Sequence, residues 1–579
     1  MSLDLKITGG LVVDGRGGEP FIADVGVKGT EIVAVGNLSE IDAGICIEAA
    51  GKVCAPGFID MHSHADDTLL AHPEAENFLT QGVTTVVGGN CGFSPAPLTQ
   101  YYASGLWEWY WRQDVNPRMY DQEPVADLER VRDAVRRHGG VDITWRHFGE
   151  FLERVDQVLP GVNLVPLVGH STVRAAVMGH DYRRPATSSE RDRIMSFIGE
   201  AMDEGAAGVS NGLDYYPGAF ADRRELVGIV REAAVRGGMF ATHWRRKLRH
   251  KNGLPVLARG LTEAIEIARE AEAPLLQVSH LLPAYSVFPD PPQGMREAVG
   301  SMTLQLLDDA IEQGLNIYWD VIPSRSGGVL TVKSLANALI PWWNASGTLE
   351  QLGRNLRAPD YRDEIRRYLE SGRWYYLNPQ VDSEWSSGIL IGRHEDDPSV
   401  GGHSLEEVAQ SRGIDPFTAL FDLLVADPYT ETAVPDNEPG RMLEIFFKHP
   451  RTTVGLDTFS VDTGYESAAP PYALPHPNTY GGMIRYLKDL GIPLLGLSEA
   501  IHRVTGLPAR ILGLSDRGLI GPGLKADIAV FSPAELKAPS NHSEPRQYSE
   551  GIEYLLVNGT MSVRTGEILK RRGGQVLRG

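Results

Sequence analysis

Along the first fifty residues, short apolar runs at 5–7, 11–14, 23–28 and 31–35 alternate with polar positions and break at glycines, including Gly15-Arg16-Gly17-Gly18. Such alternation closed by glycine turns predicts a small antiparallel β unit. The same texture returns near the other end, at 527–531 and 553–557. The second run leads into Asn558-Gly559, a pair that favours a tight hairpin because both residues tolerate positive φ. Two β-rich ends separated by most of the chain predict one composite domain.

Between them lie apolar runs at 84–87, 164–168, 208–210, 239–242, 275–279, 316–319 and 452–456, with amphipathic helical stretches such as 191–204 and 224–236 in the intervals. Buried strands alternating with helices predict a βα-barrel or a doubly wound sheet. No GxGxxG or Walker loop follows any of these runs, which disfavours the nucleotide-binding sheet. Insertions at about 98–145 and 335–415 interrupt the rhythm. The first carries Trp107-Glu108-Trp109-Tyr110-Trp111, where strand geometry would put three indoles on one face. That face reads as core or subunit contact, or as a substrate lid.

Charge narrows the partners. The 579 residues include 75 acidic and 55 basic side chains, a net charge of −20. An anionic surface repels nucleic-acid phosphates and acidic lipid, so neither partner is expected. No apolar run approaches the roughly 18 residues of a membrane span. The start, Met1-Ser2-Leu3-Asp4-Leu5-Lys6, has no secretory character. The three cysteines, Cys46, Cys54 and Cys91, suit a reducing compartment, so a cytoplasmic location is expected.

The chemistry begins at Asp60-Met61-His62-Ser63-His64. On a strand, i and i+2 point the same way, so His62 and His64 present two imidazoles to one side. Further ligand-type residues end the apolar runs: Cys91, His243, His280 and Asp457. Taken singly, the cysteine reads as a small buried hydrophobe, the histidines as core residues and Asp457 as a helix N-cap. In a barrel, however, the carboxyl ends of different strands converge on one mouth. Together they predict a metal site.

These segments resemble the amidohydrolase superfamily, and within it the D-aminoacylase (N-acyl-D-amino-acid deacylase) branch. The likeness runs through GFIDMHSHAD (57–66), GVTTVVGGNCGFSPAP (82–97), LVGHSTVRAAVMG (167–179), GVSNGLDYYPGAF (208–220), FATHWR (240–245), LQVSHL (276–281) and VGLDT (454–458). It continues through 497–514, 516–531 and 557–559. The resemblance implies a (β/α)8 TIM-like barrel over 55–490 and a β-sandwich built from 1–54 together with 491–579, which also supplies the last barrel helix. It further implies that Cys91, His243 and His280 hold a tightly bound Zn2+. His62, His64 and Asp457 would face a second, weaker metal position, with Cys91 able to bridge. Thiolate plus imidazoles suits zinc.

On this reading Asp457 is the catalytic general base and acid of amide hydrolysis, and the substrate is a small N-acyl amino acid or amine. Ring opening of a cyclic amide or imide is the alternative reaction, and a silent barrel acting as a binding protein the alternative class. A homo-oligomer is compatible with either. The substrate positions depart from the branch. His280-Leu281-Leu282 lacks its lysine, Asp320-Val321-Ile322-Pro323-Ser324-Arg325 lacks its tyrosines, and His476-Pro477-Asn478 lacks its arginine. Arg245, Arg325, Ser324 and His476 are the remaining candidates for substrate binding. His170 and Asp60 are expected to be structural.

Overall fold

The structure is a computed structural model that describes residues 2–103, 125–214, 216–245, 257–282, 293–324, 330–332, 334–371, 377, 379, 385–433, 443–464, 473–542 and 544–579. Arg325 and the tryptophan-rich stretch at 107–111 lie outside the described residues.

Eight parallel strands form the centre: Phe58–Asp60, Val83–Gly88, Asn163–Gly169, Gly208–Gly212, Met239–His243, Leu276–Val278, Ile317–Val321 and Thr452–Val454, each beside its successor. The backbone hydrogen bond from Met61 N to Val454 O, 3.0 Å, links the last strand to the first, so the sheet closes as a barrel. Seven of the eight strands coincide with apolar runs. The first, only three residues long, is too short for periodicity to reveal.

Side chains alternate along each strand. Met239 and Ala241 belong to an interior cluster with Ile59, Val87, Val165 and Leu167. Phe240, between them, packs outward in the large cluster shared with the helices. Continuing that alternation turns His243 inward at the carboxyl end of its strand, which is how the barrel aims a ligand without a special loop.

The two chain ends meet in one nine-stranded sheet. Strands Leu3–Val12, Phe21–Lys28, Glu31–Gly36, Ala43–Glu48 and Val53–Pro56 join Ile528–Phe531, Ile552–Val557, Thr560–Arg564 and Glu567–Ile568, with Val53–Pro56 pairing against Ile528–Phe531. Leu5, Ile7, Val25, Ile32, Ile528 and Leu556 share its buried core. Asn558 and Gly559 take φ of 45° and 76°, the two positive values that a type I′ hairpin turn needs. The strands Ala43–Glu48 and Val53–Pro56 have no regular alternation and were not anticipated.

Helices between Leu335 and Ala426 gather a core of their own around Leu339, Trp343, Leu356, Leu405 and Leu420. Among the described residues, no helix is long and apolar enough to cross a membrane.

Candidate metal centre

His62 and His64 do not sit on a strand. The strand ends at Asp60, both histidines occupy the turn beyond it, and His64 immediately precedes the helix Ala65–Thr68. The cause is Asp60, whose Oδ1 accepts the backbone N–H of His62 at 3.1 Å and of Leu456 at 2.9 Å and so ends the ladder. Burial drives the Asp60 carboxyl up to about 8 against those bonds. The rings still approach each other, with centroids 5.7 Å apart.

Cys91, beyond Val83–Gly88, is the hub. Its Sγ lies 3.4 Å from His62 Nε2, 3.5 Å from His243 Nδ1 and 3.6 Å from His280 Nε2. Asp457 Oδ1 lies 3.3 Å from His64 Nε2 and 3.5 Å from His62 Nε2. The donor atoms form three overlapping groups, each within 4.8 Å: His62, His64 and Cys91; Cys91, His243 and His280; His62, His280 and Asp457. All six side chains are buried.

The backbone is bent to this arrangement. Cys91, His280 and Asp457 have φ of 53°, 35° and 52°. Non-glycine residues adopt such values sparingly, and where they cluster a site commonly holds them. Gly455 makes room beside them: a Cβ there would lie 2.5 Å from Asp320 Oδ1 and 2.6 Å from His62 Cβ.

The charges are mutually dependent. Burial would raise the Cys91 thiol, but the charges of His62 and His243 outweigh it and hold the thiol well below its usual range. Burial would lower His62, but Cys91 and Asp320 raise it well above an ordinary imidazole. His64 reaches about 10 because Asp457 and Cys91 prevail over burial. His280 is pushed down, by burial and then by His243. The Asp457 carboxyl, raised by burial but pulled down by His64, His62 and His280, stays far below the carboxylate range.

Two anionic donors thus draw positive charge into a dry place. A divalent cation fits that demand, since it leaves the imidazoles neutral as ligands. Distances agree as well: zinc bonds of about 2.3 Å to sulfur and about 2.05 Å to nitrogen, at a tetrahedral angle, put the two atoms about 3.6 Å apart. Asp457 Oδ1, though buried, has no hydrogen-bond partner of acceptable geometry among the described residues. Such an orphaned acceptor is expected beside a cation.

Two carboxylates missed in the sequence complete the surroundings. Asp214 Oδ2 lies 3.3 Å from His243 Nε2. Asp320 Oδ1 accepts the backbone N–H of His280 at 2.7 Å and stands 3.6 Å from His62 Nδ1, while its Oδ2 accepts from Gln277 Nε2 at 2.9 Å. A signal for Asp320 existed, since it closes an apolar run as the other donors do.

Of the substrate-binding candidates, the described ones, Arg245, Ser324 and His476, are in none of these donor groups. The Arg245 guanidinium meets Glu263 at 3.1 Å and the carbonyls of Ala219 and Ala221 at 2.7 and 3.4 Å, so it braces a loop to the helix Leu257–Glu270. Ser324 is half-buried, and its backbone N–H donates to the Ile322 carbonyl. His476 is buried, accepts the Asn478 N–H at Nδ1 over 3.1 Å and packs edge-on against His542.

A profile of the amidohydrolase family matches residues 46–326 and 458–563. The chain belongs to the amidohydrolase family. Over 99% of its length, and 95% of the relative's, it is 31% identical to an N-acyl-D-aspartate deacylase of Alcaligenes xylosoxydans xylosoxydans. The crystal structure of a D-aminoacylase superimposes with a TM-score of 0.68 at 29% identity, covering both chains completely. An N-acyl-D-glutamate deacylase from Bordetella bronchiseptica, complexed with zinc and a phosphonate that mimics the tetrahedral intermediate, gives 0.67 at 28% identity, again over both whole chains.

In this member of the amidohydrolase family, the residues next to the mouth are tied down by a buried ion-pair network. His170 begins the helix that follows the strand Asn163–Gly169. Its Nε2 donates to Glu225 Oε1 at 2.7 Å, and Arg174 holds Oε2. Burial would raise Glu225, but His170 and Arg174 prevail and set it at about 2 rather than the ordinary 4.5. Because the folded value is depressed, the stabilisation is complete above pH 4.5 and disappears as pH falls toward 2, and the shift corresponds to about 3 kcal/mol. Glu225→Gln is therefore expected to lower the urea midpoint at pH 7. The gap to wild type should close as the pH is taken from 4.5 toward 2. A constant gap across that window contradicts the assignment.

Proposed function

We propose that this protein deacylates an N-acyl amino acid by metal-dependent hydrolysis of its amide C–N bond. One observation carries the reading: a cysteine, four histidines and an aspartate from five strand ends bring their donor atoms together at the barrel mouth. The deacylase relatives, one of them bound to zinc and to a mimic of the tetrahedral intermediate, support that choice of reaction.

Cys91, His243 and His280 would hold the tightly bound zinc. His62, His64 and Asp457 would face a second, weaker position, and Cys91 belongs to a donor group with His62 and His64 as well as to the one with His243 and His280. When bound, zinc in this donor set polarises an amide carbonyl and acidifies water. Asp457, ionised and with Oδ1 unpartnered, accepts a proton from the attacking water and returns it to the departing nitrogen. Water's oxygen joins the acyl carbon, the C–N bond breaks, and a carboxylic acid and an amine leave. His62 Nε2 and His64 Nε2 lie 3.5 and 3.3 Å from Asp457 Oδ1.

The amine part of the substrate is less constrained. With Arg245 engaged by Glu263, we assign Arg325 as the anchor for an α-carboxylate. A hydrolysis screen of N-acetyl and N-formyl D- and L-amino acids, uncharged amides and cyclic imides tests both statements. We expect turnover of N-acyl amino acids into equal amounts of acid and amine, weakened by Arg325→Ala mainly through KM. Hydrolysis confined to cyclic imides or to carboxylate-free amides contradicts the proposal.

A further inference from the structure

The donor histidines do not all present the same nitrogen. His62 and His280 approach Cys91 through Nε2, whereas His243 approaches through Nδ1. A neutral imidazole that turns Nδ1 to a cation carries its proton on Nε2, and that N–H needs an acceptor. The acceptor at hand is Asp214 Oδ2, 3.3 Å from His243 Nε2, with both side chains 1% exposed. Asp214 follows the strand Gly208–Gly212, which pairs in parallel with Met239–His243 so that Gly212 faces His243. The backbone bond from Leu213 N to His243 O, 3.0 Å, fixes the loop that carries Asp214 against the ligand. Next door, Asp320 takes the backbone N–H of His280 instead, while His280 Nδ1 meets no hydrogen-bond partner among the described residues.

We infer that Asp214 is a positioning residue, which keeps the His243 proton on Nε2 and so turns Nδ1 toward the metal position. Asp214 is in none of the three donor groups; it would act through His243, by fixing the orientation of the ring at Nε2. The inference rests on the metal site proposed above, and its test separates the two.

Zinc affinity is measured by competition with a chromophoric chelator in the wild-type full chain, Asp214→Ala and Asp214→Asn. The visible absorption of the Co2+-loaded proteins is recorded alongside. Melting of the metal-free proteins confirms that each variant folds, and the near-isosteric asparagine keeps the test open should alanine unfold. Losing the acceptor is expected to weaken zinc binding about 10- to 100-fold in Asp214→Ala and to alter the Co2+ ligand-field bands. Asp214→Asn, whose amide oxygen still accepts, recovers part of the affinity and the wild-type band positions. Wild-type affinity in Asp214→Ala, or an Asp214→Asn protein that departs from wild type as far as alanine does, overturns the positioning role. Failure of the wild type itself to bind zinc overturns the metal site instead.

Discussion

Replacing Asp457 with asparagine is expected to reduce kcat by about 10²- to 10⁴-fold, the range for removal of a positioned acid or base, while the protein keeps its tightly bound zinc. The side chain changes by one atom, so shape and packing persist. What disappears is the proton acceptor at Oδ1, which lies 3.3 Å from His64 Nε2 and carries no hydrogen bond of its own. Because the tight zinc is assigned to Cys91, His243 and His280, its affinity should change little. Chelator competition and steady-state kinetics on one preparation separate the two effects. Near-normal kcat with zinc in place contradicts the proton-transfer role, whereas loss of zinc together with activity makes Asp457 a principal ligand.

Replacing Cys91 with alanine is expected to have the larger effect on binding. Its Sγ stands within 3.6 Å of three imidazole nitrogens, the shared member of two donor groups. Removing it takes a soft anionic donor from both metal positions and leaves the histidines to gather a dication by themselves. The loss of zinc affinity should exceed the about 100-fold that a change behind the ligands produces, and activity should fall with it at ordinary zinc concentrations. The metal-free proteins give a further readout. Without the thiolate, His62 loses one of the two groups that raise it, so its imidazole should titrate lower by NMR. Unchanged zinc affinity in Cys91→Ala contradicts the central place given to this residue.

Much of the barrel was legible because its buried parallel strands are rich in apolar residues and stand apart from their helices. The runs at 239–242 and 452–456 locate His243 and Asp457 at strand ends with no structure in hand. Both halves of the sheet built from the chain ends were also visible, through glycine turns and the Asn558-Gly559 pair. The HxH geometry was misread, since alternation along a strand assumes that the ladder continues. The Asp60 carboxylate ends it by taking the N–H groups of His62 and Leu456, which lie far apart in sequence.

Asp214 and Asp320 escaped for a related reason. Asp214 is marked only by its distance to His243 Nε2, which the neighbouring sequence does not encode; Asp320 does close an apolar run, but its bond to the His280 N–H is not legible there. Strain was hidden too. Nothing in the residue types Cys, His and Asp announces φ values of 53°, 35° and 52° at 91, 280 and 457.

The most direct measurement is zinc K-edge X-ray absorption on the full-length protein loaded with one zinc per chain. The expected shell is one sulfur at about 2.3 Å with nitrogen and oxygen at about 2.0 to 2.2 Å, the sulfur vanishing in Cys91→Ala. A shell of nitrogen and oxygen alone in the wild type, or a protein that retains no zinc, would contradict it.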